Sequence, residues 1–475
     1  MVQKYRYTWL CLLIGAVSFA QSTKQEAAEQ LERNADSYGK IAMQIWDWGE
    51  MGYLEDKSAD LLQQTLKDQG FTIEKGVAGI PTAFIAEYGS GYPVIGILGE
   101  YDALPGLSQK ALPKKESAGG QAGHACGHHL FGTASAAAAI STKQWMEEND
   151  IEGTIRFYGT PAEEGGSGKV YMVREGLFDD VDVVLHWHPG ARNSADAGAA
   201  LANKSAKFRF HGISAHAASA PERGRSALDA VEAMNFMVNM MREHIPEDAR
   251  IHYVITDGGK APNVVPDFAE VYYYARHGKR DVVIDIFDRI IKAAEGAAMG
   301  TGTTFDYEMI GGTHDLLPNI TLQKVIYNNL KEIGGFDYDQ EERAFADRMA
   351  ESLGTDNIDY QVARDVQEFK AEAKATASTD VGDVSYTVPT AGFSTATWVP
   401  GTAAHSWQAV AAGGTSIGKK GMMVAAKTLA LTAMDLFEKP KTIEEAKEEF
   451  LQARGDDFEY IPLLGDRTPA LDYRK

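Results

Sequence analysis

From about Gln25 to Ala200 the chain alternates segments of helical period with short apolar runs bounded by turn residues, and no other feature limits its folds so strongly. Residues 25–49 place Ile41, Ile45 and Trp48 on one helical face. Runs at 83–88 and 94–98 read as two strands around a Gly-Ser-Gly-Tyr-Pro turn. An alanine-rich helix over 129–148 precedes strands at 153–158 and 181–187. The last of these is nearly all apolar, as a strand buried on both faces must be. Helix and strand in turn predict an α/β domain with a mostly parallel central sheet.

The pattern changes after residue 200. Ala206, Phe208 and Phe210 alternate with Lys207, Arg209 and His211 as a half-buried strand, and Ala227, Val231, Met234, Val238 and Met241 recur at helical spacing. Strands at 250–256 and 269–276, a helix over 281–297 and a strand at 303–309 complete a β-α-β-β-α-β order, the ferredoxin-like signature. This predicts a small α+β domain inserted into the larger one. Afterwards helices are expected at 322–333, 362–370 and 418–437, with a strand at 391–395. The division is then a leader (1–20), a main domain in two parts (21–200 and 311–440), an inserted domain (201–310) and a charged, proline-dotted surface tail (441–475).

The leader has Lys4 and Arg6, an apolar run from Thr8 to Phe19, and small residues at 18 and 20. It reads as a signal peptide, too short to span a membrane, so a secreted or periplasmic location is expected. Its removal takes Cys11 and leaves Cys126 as the one cysteine. The net charge of −21 makes nucleic acid a poor partner.

Chemistry concentrates where ligands gather on an α/β sheet, beyond the carboxyl ends of its strands. Asp102 follows the strand at 94–98, Glu163 and Glu164 follow the strand at 153–158, and His188 ends the strand at 181–187. Cys126 and His128, in Gly-His-Ala-Cys-Gly-His-His, stand just before the next helix. Thiolate and imidazole beside flexible glycines suit a divalent metal. Of two neighbouring glutamates in an extended turn, one can bind metal while the other faces substrate as general base. His186 shares a strand face with His188 and competes with it; His188 is nearer the strand end. The tract 165–169 lacks the spacing of a phosphate loop. Nucleophilic catalysis by Cys126 and a binding protein without catalysis are the competing readings.

Taken in order, Gly-Glu-Tyr-Asp-Ala-Leu-Pro, His-Ala-Cys-Gly-His, Pro-Ala-Glu-Glu-Gly-Gly, Ser-Ala-His-Ala-Ala, Asn-Val-Val-Pro, Ser-Thr-Asp-Val-Gly-Asp-Val-Ser and the late His405 resemble the amidohydrolase branch of the aminoacylase and carboxypeptidase metallopeptidases. The resemblance runs over nearly the whole mature chain and implies that the main domain is catalytic and the insert a lid or dimerisation domain. It implies two divalent ions per protomer, zinc or manganese, held by Cys126, His128, Glu164, His188 and His405. It further implies Glu163 as general base for a metal-activated water and Asp102 as the acid orienting a ligand. His216 would reach the site of a partner protomer to steady the oxyanion, which makes a homodimer the expected assembly, and Asn263 and Arg276 would meet the substrate. The implied substrates are N-acyl or N-aroyl amino acids, p-aminobenzoyl-glutamate among them; a homologous polypeptide of a second, A type stays open as a partner. In one departure, His129 stands where the family commonly has Asp.

Overall fold

The computed structural model describes residues 24–372 and 377–475; the leader expected over 1–20 lies outside the described residues. Twelve strands are named: β1 (Thr72–Lys75), β2 (Phe84–Ser90), β3 (Val94–Gly99), β4 (Leu104–Pro105), β5 (Ala122–Gly123), β6 (Gly153–Gly159), β7 (Val183–Gly190), β8 (Ala202–His211), β9 (Arg250–Asp257), β10 (Phe268–His277), β11 (Thr304–Thr313) and β12 (Thr390–Ala396). The main sheet runs β1-β2-β6-β3-β7-β12. β6, β3, β7 and β12 pair in parallel, whereas β1 with β2 and β2 with β6 are antiparallel. A mostly parallel sheet with helices alternating along the chain is the α/β class read from the sequence.

The helices used below are α1 (Ala35–Trp48), α2 (Asp56–Asp68), α3 (His128–Glu148), α4 (Gly168–Arg174), α5 (Ala227–Met241), α6 (Arg280–Thr301), α7 (Ile320–Ile333), α8 (Ser416–Glu438) and α9 (Pro440–Arg454). α3 and α8 pack on each other across β3, β6, β7 and β12. α3 is buried on every side from His128 to Thr142, which explains why it carries no polar stripe. Its small residues allow close approach: a Cβ added at Gly132 would stand 2.6 Å from the Glu100 carbonyl oxygen. The front of α3 is thereby drawn against the chain leaving β3. Among the described residues no helix is long and apolar enough to cross a membrane.

Residues 202–313 form a second sheet, β11-β8-β10-β9, antiparallel throughout. Ala206, Phe208, Phe210, Val271, Tyr273 and Ala275 point to α5 and α6 and make a separate core. Strand order and connection match the ferredoxin-like reading. β9 is an edge strand exposing Tyr253, Val254 and Ile255, and α5 exposes Phe236 and Met240.

One expectation is corrected. The helix expected at 362–370 is a single turn, Gln361–Arg364. The residues beyond it run extended beside 193–197, with Gln367 N–H donating to Asn193 O at 2.9 Å and Ala197 N–H to Lys370 O at 2.9 Å. Tertiary pairing thus outweighs local helical preference. The tail lies on the surface, but one face of it is anchored: α9 buries Ile443, Ala446 and Phe450, and Leu463 and Leu464 are buried beyond it. Ile443, Ala446 and Phe450 have helical spacing, but the charged residues between them disguise the pattern in the sequence.

Candidate active site

The carboxyl ends of four parallel strands are level, with Gly99 opposite Gly159, His188 opposite Ser394 and Gly190 opposite Ala396. Chain segments leaving those ends therefore meet over one edge. Glu100 and Asp102 follow β3, Glu163 and Glu164 follow β6, His188 lies near the end of β7, and His405 sits in the loop after β12. Cys126 and His128 come from the turn into α3, where Gly127 has φ +77° and a Cβ would stand 2.7 Å from the Pro189 Cβ. Only glycine meets both conditions, so the two ligand-type residues can be presented on either side of it.

Three groups of donor atoms lie within 4.8 Å of one another: Cys126 with His128 and His188, Cys126 with Glu164 and His405, and Glu100 with His128 and Glu163. Cys126 Sγ is 3.1 Å from His405 Nε2, across 279 residues of sequence. His405 Nε2 is 3.4 Å from Glu164 Oε1. The imidazoles of His128 and His188 meet edge-on at 5.7 Å. His188 Nδ1 contacts the Pro189 carbonyl at 2.7 Å, leaving Nε2 for the group. His186 instead lies where a Cβ on Gly392 would be 2.3 Å from its ring, outside all three groups.

Asp102 organises the set. Its Oδ1 holds His128 Nδ1 at 2.8 Å and its Oδ2 accepts the Glu164 N–H at 2.8 Å, so one carboxylate orients two members of the cluster. Such outer contacts fix which imidazole nitrogen is free for an ion. His129 turns away: its Nε2 donates to the Gly413 carbonyl at 3.1 Å and its ring packs on His124 at 4.9 Å.

Glu100, Lys169, Asp380 and Glu55 complete the polar interior, and the sequence patterns did not single them out. Lys169 Nζ lies 2.7 Å from Glu100 Oε1 and 2.7 Å from Asp380 Oδ1, with all three side chains buried. Glu55, also buried, accepts the Ala162 N–H at 2.8 Å. Glu100 was legible in principle, since it precedes Asp102 by two residues at the same strand end; Lys169 stood in the glycine tract weighed only as a phosphate loop. Glu55 gives no sequence signal. Replacing Lys169 with Met should cost about 3–5 kcal/mol, because the buried Glu100 and Asp380 carboxylates would lose the cation they share. Urea unfolding measures it; an unchanged midpoint would show that the three charges do not depend on one another.

Charge follows geometry. Burial raises the Glu163 carboxyl well above its usual range, helped by Glu100 and Glu164. Burial opposes ionisation of Asp102 too, but His128, the Glu164 amide and Lys169 outweigh it and hold it low. His128 is buried yet raised, because Glu100 and Asp102 flank it. Burial pushes the Cys126 thiol up. Glu100 Oε2 and His128 Nε2 lie 3.0 Å apart and Glu164 Oε1 lies 3.4 Å from His405 Nε2, yet none of these buried atoms makes an aligned hydrogen bond among the described residues. Buried polar atoms of that kind call for a partner, and a sulfur, imidazole and carboxylate set converging on one point fits a divalent cation.

The three remaining expected residues lie on the inserted sheet and its loops. His216 is exposed in a loop bridged to Val264, with its Nδ1 accepting the N–H groups of Ala218 and Ser219 at 3.2 Å each. Asn263 is exposed beside it, its carbonyl accepting the Ala217 N–H at 3.0 Å. Neither shares a hydrogen bond or ion pair with the cluster among the described residues. Arg276 stacks on Tyr274 at 4.5 Å, and its Nε is buried without a partner. Burial raises the Tyr274 phenol against the opposing pull of Arg276.

An α/β sheet carrying hydrolase-type ligands on its strand ends, with a ferredoxin-like insert, defines a class of metallopeptidase-like enzymes, and the chain belongs to Peptidase family M20/M25/M40, whose sequence pattern matches residues 96–409. It is 43% identical over 469 residues to the B polypeptide of p-aminobenzoyl-glutamate hydrolase from Escherichia coli strain K12, covering 93% of this chain and 98% of that one. It is 29% identical over 448 residues to the Xaa-Arg dipeptidase of Mus musculus, covering 90% and 92%. A Bacillus subtilis dinuclear metal-binding peptidase of the same family has a similar fold, with a TM-score of 0.59, 17% identity and coverage of 86% of this chain and 99% of that one. The chain is thus a hydrolase of this family.

Proposed function

We propose that the protein hydrolyses the amide bond of N-acyl or N-aroyl amino acids, p-aminobenzoyl-glutamate foremost, at a centre of two divalent ions held by Cys126, His128, Glu164, His188 and His405. The observation that carries this reading is the convergence of Cys126 Sγ, His405 and Glu164 at 3.1 and 3.4 Å from the two separate parts of the catalytic domain. A divalent ion bound there supplies an acidified water and polarises the substrate carbonyl. Glu163 takes the proton of the attacking water and returns it to the departing amide nitrogen, giving carboxylate and amine. Asp102 keeps His128 in one tautomer. Arg276, half-buried with a free Nε, holds a carboxylate of the amino-acid part.

The reading extends to a homodimer. Exposed His216 and Asn263 serve the partner's site, and the apolar side chains on β9 and α5 offer the surface for pairing. A related A-type polypeptide as a further partner fits the 24% identity over 379 residues to the A polypeptide of p-aminobenzoyl-glutamate hydrolase from the same Escherichia coli strain. Export by the leader fits its basic, apolar and small-residue order.

The test is amine release by zinc- or manganese-loaded protein from p-aminobenzoyl-glutamate, hippurate and Xaa-Arg dipeptides. The expected result is the highest kcat/KM with p-aminobenzoyl-glutamate. No amine from any N-acyl amino acid, with either metal, would overturn the assignment.

A further inference from the structure

Residues 456–475 form a strap that joins three parts of the molecule. At its start Tyr460 donates to Asp383 Oδ1 at 2.8 Å, and His314 Nε2 donates to the Ile461 carbonyl at 3.1 Å. Leu463 then fills the space over Gly312, where a Cβ would be 2.7 Å from the Leu463 carbonyl carbon. Arg467 donates to the Ile310 carbonyl and pairs with Glu308 at 3.4 Å. These contacts hold the end of β11, where the chain returns from the inserted sheet to the main one. Next, Arg174 donates to the Arg467 carbonyl at 2.7 Å and Tyr171 to the Thr468 carbonyl at 3.3 Å, which fastens the strap to α4. Finally, Arg474 Nη2 donates to the Glu164 carbonyl at 2.8 Å, and the Tyr473 hydroxyl reaches the same oxygen at 3.3 Å.

The loop reached in this way needs holding. Ala162 and Ser167 each have φ +59°, a left-handed conformation that residues with a side chain adopt only when their surroundings impose it. Glu55 restrains one end through the Ala162 N–H at 2.8 Å, and the Tyr53 hydroxyl restrains the other through the Gly166 carbonyl at 2.7 Å. Between them, the Glu164 N–H is bound by Asp102 at 2.8 Å and its carbonyl by Arg474 at 2.8 Å. The N–H belongs to the 163–164 peptide plane and the carbonyl to the 164–165 plane. Fixing two successive planes fixes both backbone dihedrals of Glu164, since peptide units are rigid. The direction of the Glu164 side chain follows, and that of Glu163 follows with it because the preceding 162–163 plane is held by the Gly166 N–H donating to the Ala162 carbonyl at 2.9 Å. Tyr473 also meets Tyr53 edge-on at 5.6 Å, and Gly52 leaves room for its hydroxyl, to which a Cβ would come within 2.3 Å.

We propose that Arg474 and Tyr473 are positioning residues of the hydrolytic site, which hold the Glu164 carbonyl and so aim the two glutamates. The proposal rests on Glu163 as base and Glu164 as ligand in the proposed function. Neither Arg474 nor Tyr473 belongs to the three donor groups. A cationic donor on a neutral carbonyl is a strong hydrogen bond, and small misplacements of reacting groups cost up to about 100-fold in rate.

The test compares full-length wild type with Arg474→Ala, Arg474→Lys and Tyr473→Phe, each zinc-loaded. Steady-state kinetics on p-aminobenzoyl-glutamate are measured together with hydrogen exchange of the amides at 163–167. Arg474→Ala should lower kcat about 10- to 100-fold with KM little changed, and the amides at 163–167 should exchange faster. Arg474→Lys should recover most of the lost kcat, and Tyr473→Phe, which keeps the ring, should lose less than Arg474→Ala. Unchanged kcat and exchange in Arg474→Ala would overturn the proposal. So would a rise in KM alone, which marks a substrate contact, or a loss of kcat that tracks a lower melting temperature and is not restored by Lys. If wild type hydrolyses no amide, the functional assignment fails while the exchange still decides the strap: faster exchange in Arg474→Ala supports it and unchanged exchange refutes it.

Discussion

Glu163→Gln should lower kcat by about 10²–10⁴-fold, the range that general acid–base groups contribute, while metal content and KM stay near wild type. Gln keeps the shape of the side chain but cannot accept the proton of the attacking water. The substitution also separates two uses of this side chain, because its carboxylate lies in one donor group with Glu100 and His128 while Glu164 lies in another with Cys126 and His405. If Glu163 were chiefly a ligand, Glu163→Gln would shed metal in proportion to activity. Stopped-flow or single-turnover rates alongside metal analysis of the same sample distinguish the cases. Retained turnover refutes its role as base; lost metal reassigns it to the cage.

Cys126→Ser should weaken metal retention by more than the roughly 10- to 100-fold that removing an outer hydrogen-bonding partner costs. Cys126 is shared by two of the three donor groups, with His128 and His188 in one and with Glu164 and His405 in the other, so one substitution strikes both. Serine nearly preserves the volume of a side chain only 7% exposed, and a hydroxyl is a far poorer zinc donor than a thiolate. Competition against a chromophoric chelator reads the affinity. A Cys126→Ser protein that keeps its metal but loses all turnover would favour nucleophilic catalysis by the thiol.

The sequence was most informative where chemistry and regular structure coincide. Asp102, Glu163, Glu164 and His188 could be placed at one sheet edge because period-2 and buried-strand patterns fixed where β3, β6 and β7 end. Alternation of Phe208 and Phe210 with Lys207 and Arg209 exposed the inserted sheet equally well. Long-range closure was not legible in local pattern. That His405 meets Cys126 depends on how β12 lies beside β7, and in the sequence it rested on resemblance alone. Lys169 reads as an ordinary basic residue, and only the fold brings it between Glu100 and Asp380. The segment 456–475 read as a surface tail because its apolar residues are spaced irregularly among charges; its contacts are scattered, with Tyr460 on Asp383, Arg467 on Glu308, Tyr473 on Tyr53 and arginines on backbone carbonyls, and leave no periodic trace. Propensity failed at 362–370 for a related reason, since pairing with 193–197 is decided by distant chain.

Metal content after extensive dialysis, measured on wild type and Cys126→Ser side by side, tests the central claim most directly. Wild type should hold about two divalent ions per chain, as sites of this hydrolytic type do, and Cys126→Ser markedly fewer, with amine release falling in step. A wild-type protein that binds no more metal than Cys126→Ser, yet still releases amine from p-aminobenzoyl-glutamate, would contradict it.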